Sequence, residues 1–169
     1  MTSDAAAAPA APGILSPALA ERVGYLLAQV HIVARGLADE ALGSLGVNIK
    51  QYAILTILRA EGPLSQQAVG VRIGCDRTTM VELMEDLERQ GATMRGRNPA
   101  DRRAYAIELT PKGRALLERA DREVADMEAD FLAPLSEDER QELKRLLILL
   151  LVGEPAELVA DAAVEVRAG

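Results

Sequence analysis

The sequence predicts a mainly α-helical protein with one small β-hairpin. Apolar residues recur at three- and four-residue steps over most of the chain, helix caps precede these stretches, and one short segment alternates as a strand does. Residues 64–110 are the most informative, because two short helical patterns are followed directly by an arginine-bearing hairpin pattern at 95–103. This order of elements is the one that a winged helix-turn-helix requires.

The N-terminal part of the chain predicts a leader followed by a long helix. Residues 1–13 are rich in Ala and Pro and nearly uncharged, so we expect them to be disordered. Ser16 and Pro17 form a helix start, and the helix should end near Gly43 or Gly46. Its apolar face is predicted to comprise Leu19, Val23, Leu26, Leu27, Val30, Val33 and Leu37.

Three shorter helices are predicted next. Asn48 and Gln51 form a capping pair for the second helix, which Gly62 ends and whose inner face would carry Tyr52, Leu55, Ile57 and Leu58. Ser65 caps a third helix that runs to about Val71. After a turn at Gly74, Asp76 caps a fourth helix that ends at Gly91.

The fourth helix has a clear inner and outer face. One stripe should be buried, because its members are spaced at i, i+3, i+4 and i+7: Met80, Leu83, Met84 and Leu87. The positions that then turn outward are Arg77, Thr78, Val81, Glu82 and Glu85.

The hairpin and two further helices complete the prediction. Strands are expected at 93–97 and 103–109, with Tyr105, Ile107 and Leu109 alternating with Ala106 and Glu108, and with a turn at 98–101. Thr110 and Pro111 start a fifth helix that runs to about Leu132. Ser136 and Glu139 start a leucine-rich sixth helix that ends at Gly153, and residues 154–169 form a loose helix or a tail.

The charge is unevenly distributed along the chain. The net charge of −7 opposes binding to nucleic acid unless the basic residues are segregated. Residues 93–114 hold six basic residues against two acidic ones, whereas residues 111–169 hold eight against 14. The acidic charge therefore lies mostly outside the hairpin. Only one Phe, three Tyr and no Trp are present, which disfavours binding of single strands by base stacking.

Other classes of protein find little support in the composition. A single Cys excludes an intramolecular disulfide framework, and the start of the chain lacks the pattern of a signal peptide. The longest apolar run, 146–152, is far shorter than the ~20 residues that span a bilayer, so we expect a cytoplasmic protein without membrane insertion. One His and one Cys, without metal-ligand spacing or a phosphate-binding loop, predict no enzyme, no metal and no cofactor.

A set of short motifs resembles the MarR family of bacterial transcription regulators over roughly residues 19–152. The motifs are LSQQA at 64–68, DRTTM at 76–80, LERQG at 87–91, Arg95, DRR at 101–103 and LTPKG at 109–113. Each motif alone is weak, but their order and spacing together are specific.

The resemblance implies a homodimer. Residues 14–47 and 111–153 would form a helical dimerisation region, and residues 48–110 the winged helix-turn-helix lobe that binds DNA. The sequence supports this independently, because residues 146–152 are apolar on every side of a helix and a partner chain could cover them. The alternative is an internal core helix.

The resemblance also assigns the residues that contact DNA. The fourth helix would enter the major groove, so the side chains that meet bases or phosphates are Arg77, Thr78, Thr79, Val81 and Glu82, while Asp76 caps the helix. Phosphates repel a carboxylate at Glu82 unless it accepts a hydrogen bond from cytosine or pairs with Arg77.

In the hairpin, Asp101 and Arg103 match the Asp-x-Arg pattern of the family. Arg103 would enter the minor groove, and Asp101 would orient its guanidinium group. Arg95, Arg97 and Arg102 would then contact phosphates. The alternative is that these arginines belong to a solvated turn.

The function implied is a sequence-specific regulator of transcription that binds double-stranded DNA. The common case in the family is a repressor, here a homodimer on an inverted repeat with half-sites ~34 Å apart, released by a small aromatic or anionic effector. The candidate effector pocket comprises Tyr25, His31, Arg35, Lys50 and Tyr52. For His31 we favour a packed or partly exposed helix residue over a member of this pocket, and for Cys75 we favour packing over a reactive thiol.

The alternative function is a winged-helix dimeric protein-interaction module without DNA binding. Glu82, Ala92 and Thr93 depart from what is usual in the family and keep this alternative open. Salt-dependent binding to duplex DNA would separate the two functions, because a scaffold should lack it.

Overall fold

A computed structural model describes residues 15–97 and 105–153 of this protein. The described elements are α1 (Pro17–Ala20), α2 (Val23–Gly43), α3 (Ile49–Glu61), α4 (Gln66–Ile73), α5 (Arg77–Arg89), β1 (Thr93–Arg97), β2 (Tyr105–Leu109), α6 (Pro111–Phe131) and α7 (Glu137–Val152). They confirm a mainly helical fold with one antiparallel hairpin. The predicted leader, the hairpin turn with Arg103, and the C-terminal tail lie outside the described residues.

The chain divides into two compact units, residues 1–127 and 128–169. The first unit contains a core of aliphatic side chains and methionines around α3 and α5. Its largest fully buried members are Leu42, Ile54, Leu55, Met84, Leu87, Leu117 and Val69. All four members of the stripe predicted for the fourth helix are buried, which confirms the inner face of α5.

Local capping explains where α3 and α4 begin. Asn48 accepts a hydrogen bond from the backbone N–H of Gln51, and the Gln51 side chain accepts from the N–H of Asn48, each at 3.0 Å. Ser65 accepts from the N–H of Ala68 at 3.1 Å. Each cap satisfies N–H groups that have no partner inside the helix, so the predicted starts are confirmed.

The long first helix predicted from Ser16 is wrong in one respect, because it is interrupted after Ala20. Arg22 adopts an extended backbone before α2 begins, and the Ser16 side chain makes no capping hydrogen bond. None of the residues of α1 is buried. The predicted single helix is therefore two helices, of which α1 is one short turn without a buried side chain.

Two predicted inner faces need correction. In α3 the buried positions are Gln51, Ile54, Leu55 and Leu58, whereas Tyr52 and Ile57 are only half-buried. In β2 Tyr105 is 73% exposed, and Ala106 and Ile107 are both buried. Tyr105 lies at the outer end of the hairpin opposite Arg97, beyond the reach of the core. Ala106 is small enough to be buried on the other face of the strand.

The first turn of α6 lies directly against the start of the hairpin. Thr110 donates its hydroxyl to the carbonyl of Gly91 at 2.7 Å and accepts from the N–H of Gly113 at 3.0 Å, so it caps α6 as predicted. A Cβ atom added at Gly113 would lie 2.0 Å from the carbonyl oxygen of Ala92. Only glycine fits this position. Ala92, a small residue, therefore lies at the point where the start of the hairpin approaches the first turn of α6.

The second unit contains the last turn of α6 and the whole of α7. Ser136 and Glu139 form the predicted capping box, in which the Ser136 N–H donates to the Glu139 carboxylate at 2.8 Å. These hydrogen bonds lower the pKa of Glu139. None of the residues of α7 is buried, and its exposed apolar side chains are Leu146, Leu147, Leu149, Leu150, Leu151 and Val152.

Candidate nucleic-acid interface

The turn between α4 and α5 has the geometry of a helix-turn-helix. Gly74 ends α4 in the left-handed conformation, with φ 62° and ψ 41°, which glycine adopts without steric cost. The next N–H, that of Cys75, donates to the carbonyl of Gly70 at 2.9 Å. The chain therefore reverses within three residues and places α5 across α4.

Asp76 fixes the N-terminus of α5 and confirms its predicted role as a cap. Its Oδ1 accepts from the N–H groups of Thr78 and Thr79, each at 3.0 Å, and its Oδ2 accepts from the Thr79 hydroxyl at 2.6 Å. The hydrogen bond from the Thr79 side chain is the main reason that the pKa of Asp76 is lowered. Thr79 therefore differs from the exposed Arg77, Thr78 and Glu82: it is half-buried, and its hydroxyl proton is held by Asp76.

The outer face of α5 presents most of the predicted major-groove residues. Arg77, Thr78 and Glu82 are exposed, and Val81 is half-buried. Glu85, also exposed, lies one turn further along the helix. These residues lie opposite the buried stripe, because helical periodicity separates the two faces. The fold of this segment thus carries an exposed face on a rigid, capped helix.

The remaining acidic residues of α5 are held by neighbouring side chains. Asp86 accepts from Arg89 at 2.5 Å and from the Gln51 side chain at 3.5 Å. Glu88 accepts from Nε of Arg95 at 2.6 Å. Arg95, predicted to contact phosphates, is therefore paired within the protein and would have to share or release Glu88 to do so.

A groove of about 970 Å³ lies between α4, α5 and β1. Both polar and charged side chains line it beside an apolar floor. The lining residues are Gln66, Gln67, Gly70, Val71, Gly74, Cys75, Arg77, Met80, Val81, Glu85 and Arg95. Two of the predicted DNA-contact arginines, Arg77 and Arg95, thus border one concave surface of the lobe.

The hairpin is joined to the rest of the lobe by backbone hydrogen bonds. Its register pairs Thr93 with Leu109 and Arg97 with Tyr105. Leu64 adds a short bridge, since its N–H and carbonyl both bond to Ile107, at 3.3 and 2.8 Å. Arg97 is exposed at the outer end of β1. Asp101, Arg102 and Arg103, the other predicted hairpin contacts, lie outside the described residues.

The residues proposed for an effector pocket are distributed over two helices. Tyr25, His31 and Arg35 lie on α2, while Lys50 and Tyr52 lie on α3. Tyr25 and Tyr52 are half-buried and the other three are exposed. Two of the five have partners outside the set: Arg35 lies 3.7 Å from Asp39, and Tyr52 donates to Asp121.

A polar cluster between α3 and α6 was missed by the sequence reasoning. Asp121 accepts a hydrogen bond from the Tyr52 hydroxyl at 3.0 Å and forms an ion pair with Arg59. The hydrogen bond from Arg59 is the main reason that the pKa of Asp121 is lowered, and Tyr52 adds to it. These partners are 62 and 69 residues apart, so no local pattern could have revealed them.

One further expectation concerns the thiol of Cys75, and two findings concern metal sites and membrane-spanning helices. Cys75 is half-buried and packs against the core of the lobe, which agrees with the packing preferred for it. Within residues 15–97 and 105–153 no cluster of His, Cys, Asp or Glu has the arrangement of a metal site. In the same part of the chain no helix is long and apolar enough to cross a membrane.

Comparison with known proteins identifies the family. The sequence profile of the MarR family matches residues 47–105, which span α3, the helix-turn-helix and β1 and end at the first residue of β2. A candidate transcriptional regulatory protein for the hcr operon of Thauera aromatica is 34% identical over 130 residues, covering 76% of this chain and 78% of that protein. This chain belongs to the MarR family of transcriptional regulators.

Solved structures of similar proteins include complexes with both kinds of partner. The PcaV transcriptional regulator from Streptomyces coelicolor, in complex with its natural ligand, is 31% identical with a TM-score of 0.66, covering 89% of this chain and 99% of PcaV. The transcriptional repressor CouR bound to a 23-mer DNA duplex is 28% identical with a TM-score of 0.75, covering 82% and 99%. CouR from Rhodococcus jostii RHA1 was also solved with p-coumaroyl-CoA, at 25% identity, TM-score 0.74 and coverage of 82% and 98%.

Proposed function

We propose that this MarR-family protein is a cytoplasmic repressor that binds double-stranded DNA as a homodimer at an inverted repeat. A small aromatic or anionic effector would release it from DNA. The observation that carries this proposal is the capped helix α5, which presents Arg77, Thr78 and Glu82 on an exposed face next to the basic hairpin. The DNA complex of CouR supports the assignment by family likeness.

In the proposed complex α5 lies in the major groove. Arg77 and Thr78 occupy its first turn, where the residues of a recognition helix meet base edges and phosphates. Val81 would contact a thymine methyl group. Thr79 would act mainly through the cap that it forms with Asp76, since its hydroxyl proton is used there. The groove beside α5 would lie along the phosphate backbone near Arg77 and Arg95.

The hairpin would supply the second set of contacts. Arg97 at the end of β1 and the charged residues at 101–103 would extend toward the neighbouring minor groove. There Arg103 would enter the groove, oriented by Asp101, while Arg97 and Arg102 contact phosphates. Arg95 is assigned a secondary part, because Glu88 competes with phosphate for its guanidinium group.

Exposed apolar side chains support the dimer. In the second unit, Leu150 and Leu151 of α7 are 69% and 82% exposed. In the first unit, Val23, Leu27 and Val30 of α2 are exposed along the helix face that the sequence predicted to be apolar. Because exposed apolar side chains that follow one another along a helix commonly mark an interaction surface, we assign these segments, within 14–47 and 111–153, to contacts with a second copy.

The effector site is proposed in the region of Tyr25, His31, Arg35, Lys50 and Tyr52. Exposed cations at Arg35 and Lys50 suit an anionic group, and the half-buried tyrosines suit an aromatic ring. PcaV with its natural ligand and CouR with p-coumaroyl-CoA show that similar proteins bind small molecules.

The test is duplex binding at several salt concentrations. Genomic fragments retained by the purified protein would supply the site, and fluorescence anisotropy would give the affinity of wild type, Arg103→Ala and Arg119→Ala. We expect affinity to fall steeply with salt and Arg103→Ala to weaken binding by well over roughly tenfold at fixed salt. Arg119, exposed on α6, is the control and should leave binding unchanged.

The same experiment separates the alternative function. Absence of a selected duplex, or binding without salt dependence, would favour the protein-interaction module instead. Footprinting should protect two half-sites about one helical turn apart, and protection of a single asymmetric half-site would contradict the dimeric mode of binding.

A further inference from the structure

We propose that Glu82 determines sequence specificity by accepting a hydrogen bond from the N4 amino group of a cytosine in each half-site. This inference rests on the proposed DNA-binding function. It adds which base the protein prefers at one position of each half-site. It starts from the acidic residues of α5, which are unusual on a helix that must approach phosphates.

The acidic residues of this segment fall into two groups. Asp76, Asp86 and Glu88 have partners inside the protein: the threonines at the start of α5, then Arg89, then Arg95. Among the described residues Glu82 and Glu85 have no ion-pair partner, and both are exposed. The carboxylates of Asp76, Asp86 and Glu88 are therefore already engaged within the protein, by hydrogen bonds or by ion pairs. Those of Glu82 and Glu85 are available on the outer face.

The position of Glu82 favours it over Glu85. Glu82 lies four residues after Thr78, so the two side chains are neighbours on the same outer stripe, opposite the buried Met80 and Met84. Glu85 instead lines the groove toward α4 and β1 and lies one turn further from the capped end. Because recognition helices contact bases mainly through their N-terminal residues, Glu82 is the carboxylate that reaches base edges.

The chemistry of the major groove selects cytosine. An ionised carboxylate can only accept hydrogen bonds, and only cytosine N4 and adenine N6 donate there. Adenine also presents the acceptor N7 beside its amino group, and this lone pair repels a carboxylate. Guanine and thymine present no hydrogen-bond donor there. The carboxylate loses hydration on entering the groove, and the cytosine amino group is the donor that offsets this loss.

The experiment compares full-length wild type with Glu82→Gln and Glu85→Gln. Each protein selects from a library of random duplexes, and the bound fractions are sequenced. Wild type should select an inverted repeat with cytosine at one fixed position in each half-site. Glu82→Gln should select adenine at that position, because a glutamine amide donates to N7 and accepts from N6. Glu85→Gln is the matched control and should retain cytosine.

A titration quantifies the same preference. In the wild-type site, replacing that C·G pair by T·A should weaken binding of wild type by about tenfold or more, and should weaken binding of Glu82→Gln clearly less. Both variants replace an exposed side chain by an isostere, and their thermal unfolding curves should match that of wild type.

The outcomes separate this inference from the proposed function. If wild type selects no duplex, both are wrong. If wild type selects a repeat that lacks cytosine, or if Glu82→Gln selects an unchanged repeat, only the role of Glu82 is wrong. If Glu82→Gln binds every duplex more tightly without a change of repeat, Glu82 acts by repulsion alone and the inference is overturned.

Discussion

Helices α5 and α7 are both capped at the start and rich in leucine or methionine, yet they differ in whether their apolar side chains are buried. Every member of the stripe Met80, Leu83, Met84 and Leu87 is buried in the lobe. None of the residues of α7 is buried, although seven consecutive apolar residues run from 146 to 152. The core around α5 is completed within one chain by side chains of α2 and α6, whereas α7 exposes apolar surface that a second chain could cover.

The two helices would therefore serve different parts of the function, α5 in DNA recognition and α7 in assembly. A core that one chain completes can hold an exposed recognition face in fixed geometry, because capping, core packing and the bridge of Leu64 to the hairpin all act within that chain. An apolar helix whose surface is covered by another copy makes assembly part of stability. Affinity for an inverted repeat would then depend on both regions.

The largest effect is expected when the core of the lobe is broken. Met84 is fully buried in α5, so Met84→Ala should lower the free energy of unfolding by about 2–5 kcal/mol through lost transfer energy and an incompletely filled cavity. Urea unfolding at fixed protein concentration measures this. The matched control is Met94→Ala at a side chain that is 51% exposed, which should change stability by less than about 0.5 kcal/mol.

A charge on α7 should act on assembly instead of on the lobe. If a partner covers Leu150, Leu150→Glu places a carboxylate in an apolar interface and should raise the dimer dissociation constant roughly a hundredfold. Analytical ultracentrifugation gives the constant. Gln141→Glu adds the same charge at an exposed polar position of α7 and should not change it. If the wild type is monomeric at micromolar concentration, the proposal that a second chain covers the apolar side chains of α7 is wrong.

The contacts of Asp121 on α6 with Arg59 and Tyr52 on α3 offer a pH-dependent test of what holds the lobe to α6. Because the folded pKa of Asp121 lies below its unfolded value, its contribution is present above the unfolded pKa of about 3.9 and is lost as pH falls through the folded value. Asp121→Asn should cost about 1–2 kcal/mol at pH 7, a modest figure because the carboxylate is 32% exposed.

The measurement is the free energy of unfolding of both proteins between pH 7 and pH 3. The difference between wild type and Asp121→Asn should shrink as pH falls below about 4. Asp126→Asn, at an exposed position on the same helix, serves as the control. A difference that stays constant over this range would show that the carboxylate charge is not what stabilises the contact.

The smallest effect is expected at a buried hydroxyl group of the lobe. Thr93 is buried, and its hydroxyl has no hydrogen-bond partner among the described residues. Thr93→Val keeps the shape, removes the unsatisfied group, and should raise the free energy of unfolding by about 0.5–1 kcal/mol. Thr56→Val is the control, because the Thr56 hydroxyl donates to the carbonyl of Tyr52 at 2.9 Å; it should be neutral or destabilising.

Local signals predicted most of the element boundaries. The caps Asn48, Ser65, Asp76, Thr110 and Ser136 are all found where the sequence placed them, because each acts within three residues of the chain. The inner face of α5 followed from helical periodicity. The interruption after Ala20 was not predicted, since the apolar pattern continues through it while no residue of α1 is buried.

The sequence predicted which residues of α5 lie at the candidate site, but it did not predict their side-chain pairings. Arg77, Thr78 and Glu82 could be placed on the outer face of α5 from spacing alone. The pairing of Arg95 with Glu88 was not predicted, because it joins a strand to the preceding helix through side-chain geometry. The cluster of Tyr52, Arg59 and Asp121 was missed for the same reason.

The sequence by itself determined the order of the elements, their caps, the buried stripe of α5 and the family, because each depends on short-range spacing or on motifs in fixed order. The tertiary structure decided which charges remain available and which are held by neighbours, because side chains far apart in sequence meet only after the helices pack. It also decided that Gly113 must be glycine, through a carbonyl oxygen 21 residues earlier in the chain that leaves no room for a Cβ atom.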